Sequence, residues 1–69
     1  MKITNENMRK FYSLIRKATV EIQSMTLFNQ LMEIEKKGHQ LFEKGEDLWK
    51  LEKLETEIWL LESKDSIRR

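Results

Sequence analysis

Three residues whose side chains can bind a metal or transfer a proton recur at a spacing of four in the middle of the chain: Glu35, His39 and Glu43. On an unbroken helix this spacing would place an imidazole between two carboxylates, a ligand set that can bind zinc. Gly38 lies inside the segment and weakens a helix there, and the chain has no second histidine. We therefore expect a polar histidine near the end of a helix, with no metal site and no cofactor.

The other residue types used in catalysis occur without the arrangement that catalysis needs. Cysteine is absent, and the serines have neither a glycine-rich turn nor a neighbouring base. The glutamates are spread along the chain as on a solvated face, whereas acid–base catalysis needs carboxylates in a sheltered pocket. A glycine-rich phosphate loop is also absent. The sequence predicts a protein that is not an enzyme.

Basic residues recur near the N-terminus as two pairs seven residues apart, and they form a candidate nucleic-acid site: Arg9, Lys10, Arg16 and Lys17. A basic strip of this kind on a helix could lie along a phosphate backbone. Residues 25–63, however, carry nine acidic side chains against five basic ones, and this part would repel nucleic acid. A small transcriptional regulator that binds nucleic acid is therefore the alternative function, beside the simpler reading of a solvated or paired charged face.

The composition predicts an all-α protein. Proline is absent, glycine occurs twice and 36% of the 69 residues are charged, which favours helices and disfavours turn-rich β folds. A chain of this length buries only about 60% of the surface that its unfolded form exposes. Because the chain has no cysteines for disulfides and a single histidine, association of chains is the remaining way to stabilise such a domain. We therefore expect a homodimer.

The first helix is predicted over residues 5–37. Thr4 or Asn5 can cap its start, and residues 19–26 leave a break open, because they hold two β-branched apolar residues and because Ser24 or Thr26 could cap a second helix. A continuous or gently bent helix is the favoured interpretation. Its apolar residues recur at spacings of three and four, within an arc of about 160°: Met8, Phe11, Tyr12, Leu14, Ile15, Ala18 and Ile22.

A seven-residue repeat follows, in which residues 37–43 match residues 44–50 at lysine, glycine, leucine and aromatic positions. Gly38 lies where a helix would end, after two lysines that suit the negative end of a helix dipole. Gly45 precedes two acidic residues that suit the start of the next helix. We therefore expect a connector over residues 38–45. An unbroken helix, in which the glycines permit close contact with a neighbour, is the alternative.

The last helix is predicted over residues 46–64, followed by a frayed tail over residues 65–69. Its apolar residues spread over about 260° of the helix, whereas a surface helix needs a stripe only a little wider than about 100°. Either two helices flank this element or part of it is exposed for another protein. Its apolar residues at spacings of three and four are the candidate self-association residues: Leu48, Leu51, Leu54, Ile58 and Leu61.

Three aromatic residues are the candidates for contact with a partner, because exposed aromatics dominate interface energetics: Phe42, Trp49 and Trp59. The sequence thus predicts a helical hairpin that assembles into a dimeric helical bundle and that binds and regulates or inhibits a larger protein. Small helical hairpins that regulate or inhibit larger bacterial and phage proteins share this size and style, which is a comparison of class only. The polar N-terminus and the lack of a long apolar stretch predict a cytoplasmic protein without a membrane contact.

Overall fold

A computed structural model describes residues 1–68 of the chain and the side chains of residues 1–66. Each of its three helices packs against the other two, so the prediction of an all-α protein is confirmed. The prediction of a two-helix hairpin is wrong, because the predicted first helix is divided in two. The helices are α1 (Asn5–Glu21), α2 (Met25–Glu43) and α3 (Leu48–Arg68).

The start of α1 is fixed by a reciprocal cap. The hydroxyl oxygen of Thr4 accepts a hydrogen bond of 3.2 Å from the backbone N–H of Asn7, and the side-chain oxygen of Asn7 accepts one of 2.8 Å from the N–H of Thr4. Two backbone donors that have no partner within the helix are thereby satisfied. Thr4, of the two residues predicted as possible caps, is the one that is used.

The break between α1 and α2 falls at residues 22–24, within the segment that the sequence left open. Ile22 is in an extended conformation, and the Ser24 hydroxyl caps α2 by accepting from the N–H of Leu27 at 3.4 Å. The Asp65 carboxylate of α3 accepts hydrogen bonds of 3.3 Å from the backbone N–H groups of Gln23 and Ser24. The side chains of Ser24 and Asp65 thus accept hydrogen bonds from backbone N–H groups in and next to the turn. The chain can therefore reverse its direction here.

Helix α2 continues through Gly38 to Glu43, so the predicted connector over residues 38–45 is wrong. Gly38 is buried within the helix, which agrees with the alternative in which a glycine permits close contact with a neighbour. Gly45, whose φ is +68°, follows the C-cap residue Lys44 and terminates the helix. The N–H of Gly45 donates to the carbonyl of Phe42, and the N–H of Glu46 donates to the carbonyl of Leu41. These two bonds form a Schellman motif, which needs a residue in the left-handed region at the glycine position.

The turn over residues 44–47 is held by the N-terminal segment. The Lys2 ammonium donates to the carbonyl of Gly45 at 2.7 Å, and the N–H of Leu48 donates to the carbonyl of Met1 at 2.7 Å. Lys2 also forms an isolated antiparallel β-bridge with Asp47. Residues ahead of the first helix therefore close the end of the bundle opposite Asp65.

Helix α3 begins at Leu48 and extends to Arg68, beyond the predicted end at residue 64. The predicted frayed tail is wrong for residues 65–68, and residue 69 lies outside the described residues. Asp65 is only 4% exposed, since its carboxylate binds the α1–α2 turn. The last turn of α3 is thus part of the packed structure.

One core runs through the bundle, whose extents are 38 × 16 × 15 Å. Apolar residues of all three helices meet there, and Ile3 joins them from the N-terminal segment. None of the described helices is both long enough and apolar enough to cross a membrane. The buried apolar residues are Ile3, Met8, Phe11, Ile15, Ala18, Ile22, Leu27, Leu31, Ile34, Leu51, Leu54, Ile58 and Leu61.

Candidate functional site

The continuous helix α2 brings Glu35, His39 and Glu43 to one side, and both ring nitrogens of the imidazole have protein partners. His39 Nε2 lies 2.5 Å from Glu43 Oε1, and His39 Nδ1 lies 3.0 Å from the hydroxyl of Tyr12 on α1. In the neutral tautomer that donates to Glu43, Nδ1 accepts from Tyr12. Within residues 1–68, no three His, Asp or Glu side chains are arranged to hold a metal ion.

The chain of hydrogen bonds from Tyr12 through His39 to Glu43 is not an activated nucleophile. Burial raises the pKa of the Tyr12 phenol above its ordinary value, and the negative charges of Glu35 and Glu43 raise this pKa further. A raised pKa keeps the phenol protonated, whereas nucleophilic catalysis needs a lowered pKa or removal of the proton by a base in a sheltered site. The His39 and Glu43 side chains are more than half exposed. The cluster therefore serves to join α1 to α2.

The candidate nucleic-acid residues lie on the exposed side of α1, but two of them meet acidic residues of α3. Burial raises the pKa of Glu55, and the charge of Lys10 partly offsets this rise. The charge of Lys17 likewise lowers the pKa of Glu62, which burial raises. All four side chains are exposed, but Lys10 and Lys17 interact electrostatically with these carboxylates of α3. The structure therefore does not assemble four unopposed charges for a phosphate backbone.

The candidate self-association residues pack within the core of a single chain. Four of them, Leu51, Leu54, Ile58 and Leu61, are buried in the core, and Leu48 is partly buried against it. The wide apolar arc of α3 is explained in part by its position, because α3 packs against both α1 and α2. The remainder of that arc faces solvent.

The solvent-facing part of α3 carries three large apolar residues, which we call the tryptophan face: Trp49, Trp59 and Leu60. Their exposed fractions are 53%, 66% and 46%. Trp49 and Leu60 are close to three full turns apart, so they lie on one line along the helix about 16 Å apart. Trp59 lies about 80° round the helix from that line. Phe42 is separate from this face, because it packs against the core and lines a depression beside Tyr12 and Met8 between α1 and α2.

Two open grooves border the tryptophan face, and Thr56 lines both of them. The groove between α2 and α3, here the basic groove, contains Trp49 and has a volume of about 680 Å³. The groove between α1 and α3, here the acidic groove, contains Trp59 and three glutamates, Glu52, Glu55 and Glu62. The two tryptophans therefore lie in surroundings of opposite charge.

Comparisons place this chain beside no known family. It matches no protein-family model, no curated protein and no solved structure.

Glu62, which lines the acidic groove, interacts directly with the carboxyl group of Glu21 on α1. Burial raises the pKa of Glu62, and a side-chain hydrogen bond with Glu21 and the negative charge of Glu21 raise it further, while Lys17 lowers it. The hydrogen bond requires a proton on one of the two carboxyls, because ionised carboxylates only accept. Ionisation of both carboxyls would remove this bond and leave two like charges in the α1–α3 contact, which disfavours the charged form of Glu62.

Leu60 and the lysines of the basic groove are candidate site residues that the sequence alone does not identify. The sequence held a signal for two of the lysines, since Lys37 and Lys44 occupy the same position of the seven-residue repeat, and both line this groove. Leu60 lies in an apolar run of four residues, Ile58 to Leu61, of which Ile58 and Leu61 are buried and the middle two are exposed. Only the packing of the three helices shows which members of the run remain on the surface.

Proposed function

We propose that this chain is a non-enzymatic binding protein whose tryptophan face binds a larger protein and thereby regulates or inhibits it. The observation that carries the proposal is the exposure of Trp49, Trp59 and Leu60 on one helix while other residues complete the core. Removing the three side chains from water would be favourable, at roughly 25 cal/mol per Å² of apolar surface. Tryptophan is also the residue type most enriched among those that dominate binding energy.

The arrangement of the face supports binding rather than an accident of folding. Scattered single apolar residues are normal on a protein surface, whereas clustered ones mark interaction sites. The other strongly exposed apolar residues, Met1, Val20 and Met25, lie elsewhere, on the N-terminal segment, on α1 and at the start of α2. We place this interaction in the cytoplasm, as the sequence predicts.

Homodimer formation remains a prediction. The residues first chosen for it, such as Leu51 and Leu54, are buried within one chain, so a dimer would have to form through the tryptophan face instead. Self-association would then compete with binding of the larger protein. Light scattering at micromolar concentration separates a monomer of 8.4 kDa from a dimer.

Truncation of Trp59 tests the proposal. We expect Trp59→Ala to leave helicity and mass in solution unchanged, because the side chain is 66% exposed, and to abolish capture of the larger protein from extracts of cells that make this chain. Leu54→Ala should instead lower the free energy of unfolding by about 2 to 5 kcal/mol, because Leu54 is buried.

Val20→Ala is the matched control, because Val20 is 81% exposed on α1 and should change neither property. The proposal fails if Trp59→Ala captures as much protein as the unmodified chain. It also fails if Trp59→Ala unfolds the chain as severely as Leu54→Ala, since Trp59 would then be a residue of the core.

A further inference from the structure

The basic groove combines an apolar floor with a cationic rim. Leu41 is partly buried and Leu54 is buried, and both line the groove together with the ring of Trp49. Lys37 and Lys44 lie on the α2 side. A ligand that fits must therefore bring apolar groups to the floor and negative charge to the rim.

The cations of the groove are available to a ligand. The groove is lined by four lysines and two glutamates, and one lysine, Lys50, is paired with Glu46 at 3.0 Å. In the described part of the chain, Lys37, Lys44 and Lys53 form no salt bridge within 4.0 Å. The groove thus presents unneutralised positive charge beside apolar surface.

The ammonium groups of two of these lysines lie near the ring of Trp49. The ammonium of Lys53 lies 5.6 Å from the centroid of the indole ring, and that of Lys50 lies 5.7 Å from it. At these distances a cation is attracted to the face of the ring. Positive charge therefore lies beside the indole of Trp49, where the basic groove borders the tryptophan face.

We propose that the basic groove binds an acidic amphipathic helix of the larger protein, an inference that rests on the proposed function and names the chemistry of the partner. A helix laid between α2 and α3 would place apolar residues at spacings of three and four on Leu41, Leu54 and Trp49, as in helix-in-groove recognition. Its glutamates or aspartates would meet the lysines of the rim, which aligns the two partners and speeds their encounter.

Other occupants fit the groove less well. It is open along its length, so a small anion would remain largely in water, whereas small-molecule sites bury most of their ligand. Single-stranded nucleic acid would stack on Trp49 and contact lysines, but its phosphate backbone would bring no apolar side chains to Leu41 and Leu54 on the floor of the groove. A second copy of the chain would have to offer its acidic groove, and both possibilities are outcomes of the test.

The test uses a fluorescently labelled synthetic helix of about 18 residues, with leucine at spacings of three and four and glutamate at the remaining positions. Fluorescence anisotropy measures its binding to the full chain. We expect binding that weakens with added salt and that becomes about tenfold weaker in Lys37→Gln/Lys44→Gln. Lys36→Gln/Lys10→Gln removes the same charge from exposed positions outside the groove and should change the affinity less than about twofold.

A peptide with lysine in place of glutamate and an oligouridylate RNA serve as competing probes. The inference is overturned if the acidic peptide does not bind, if the two double variants weaken it equally, or if the RNA binds more tightly than the acidic peptide. It is also overturned if light scattering shows a dimer of the chain at concentrations at which the peptide no longer binds. If the acidic peptide does not bind but Trp59→Ala still abolishes capture of the larger protein, the inference fails and the proposed function stands. The two failures are therefore distinguishable.

Discussion

The ring of Phe11 on α1 occupies the space that a side chain at Gly38 of α2 would need. A Cβ atom placed on Gly38 would lie 2.4 Å from two carbons of the ring, and Phe11 itself has no exposed surface. The absence of a side chain at position 38 therefore allows α1 and α2 to approach closely. Gly38 lies within a helix although glycine weakens helices, because the contact with Phe11 compensates for the loss.

We expect Gly38→Ala to destabilise the protein although alanine is the better helix former. Alanine contributes about 1 kcal/mol in helix propensity, whereas forcing a methyl group into a packed core costs about 1 to 3 kcal/mol. Urea denaturation followed by circular dichroism should show a net loss of about 1 kcal/mol. In the Phe11→Leu background the same substitution should cost less, as a double-mutant cycle would show. A gain in stability on Gly38→Ala would contradict the contact.

The second glycine of the repeat has a different role. Gly45 has φ +68°, and a Cβ there would meet no atom within 4 Å, so the cost of a side chain arises from the backbone alone. We expect Gly45→Ala to lower the free energy of unfolding by about 1 to 2 kcal/mol. Gly45→Asn should cost less, because asparagine tolerates the left-handed region. Equal losses for the two variants would argue against backbone strain as the cause.

Asp65 should stabilise the fold from the far end of α3. Asp65→Ala would leave the N–H groups of Gln23 and Ser24 without this acceptor, which costs about 1 to 3 kcal/mol. Asp65→Asn keeps an acceptor oxygen and should cost less. Thermal unfolding measures both variants, with Ser66→Ala as the control because Ser66 is exposed. If Asp65→Ala has the same melting temperature as the unmodified chain, the contact of Asp65 with the α1–α2 turn does not stabilise the fold.

The Glu62 carboxyl should make stability depend on pH. Its pKa in the folded chain is raised, chiefly by burial and then by Glu21, so the folded state holds this proton more tightly than the unfolded state does. Ionised Glu62 therefore destabilises the fold above that pKa, and the penalty vanishes as the pH falls below the ordinary glutamate value. We expect Glu62→Gln to raise the melting temperature at pH 7, and the gain to disappear in acid.

Glu33→Gln is the control for the Glu62 experiment, because it removes the same charge from an exposed position on α2. Its melting temperature should follow that of the unmodified chain at each pH. A gain for Glu62→Gln that is equally large at low pH would show that the effect does not come from ionisation.

Local features of the fold could be predicted from the sequence, whereas features that depend on distant residues could not. The apolar spacing of α1 and its cap at Thr4 are local signals, and both are present in the structure. The position of Gly38 within α2 depends on Phe11, which lies 27 residues earlier in the chain. The order of the last turn depends on Asp65 and the α1–α2 turn. No local pattern carries these two contacts.

The residues of the candidate site were also predictable only in part. The two tryptophans were chosen from residue type and both are exposed, but Phe42 lies on another side of the bundle. The wide apolar arc of α3 predicts either two flanking helices or a part exposed for another protein. Much of the arc is buried between α1 and α2, because the break at residues 22–24 supplies a third helix that the two-helix interpretation lacked.

Photo-crosslinking in cells that naturally make the protein tests the central claim, that the tryptophan face binds a larger protein. A photoreactive benzoylphenylalanine replaces Leu60 in one variant and Val20, which is exposed on α1, in the other. We predict a covalent adduct with a larger protein from position 60 and none from position 20. The claim would be contradicted by equal adducts from both positions, by no adduct from position 60, or by an adduct of twice the chain's own mass as the sole product from position 60.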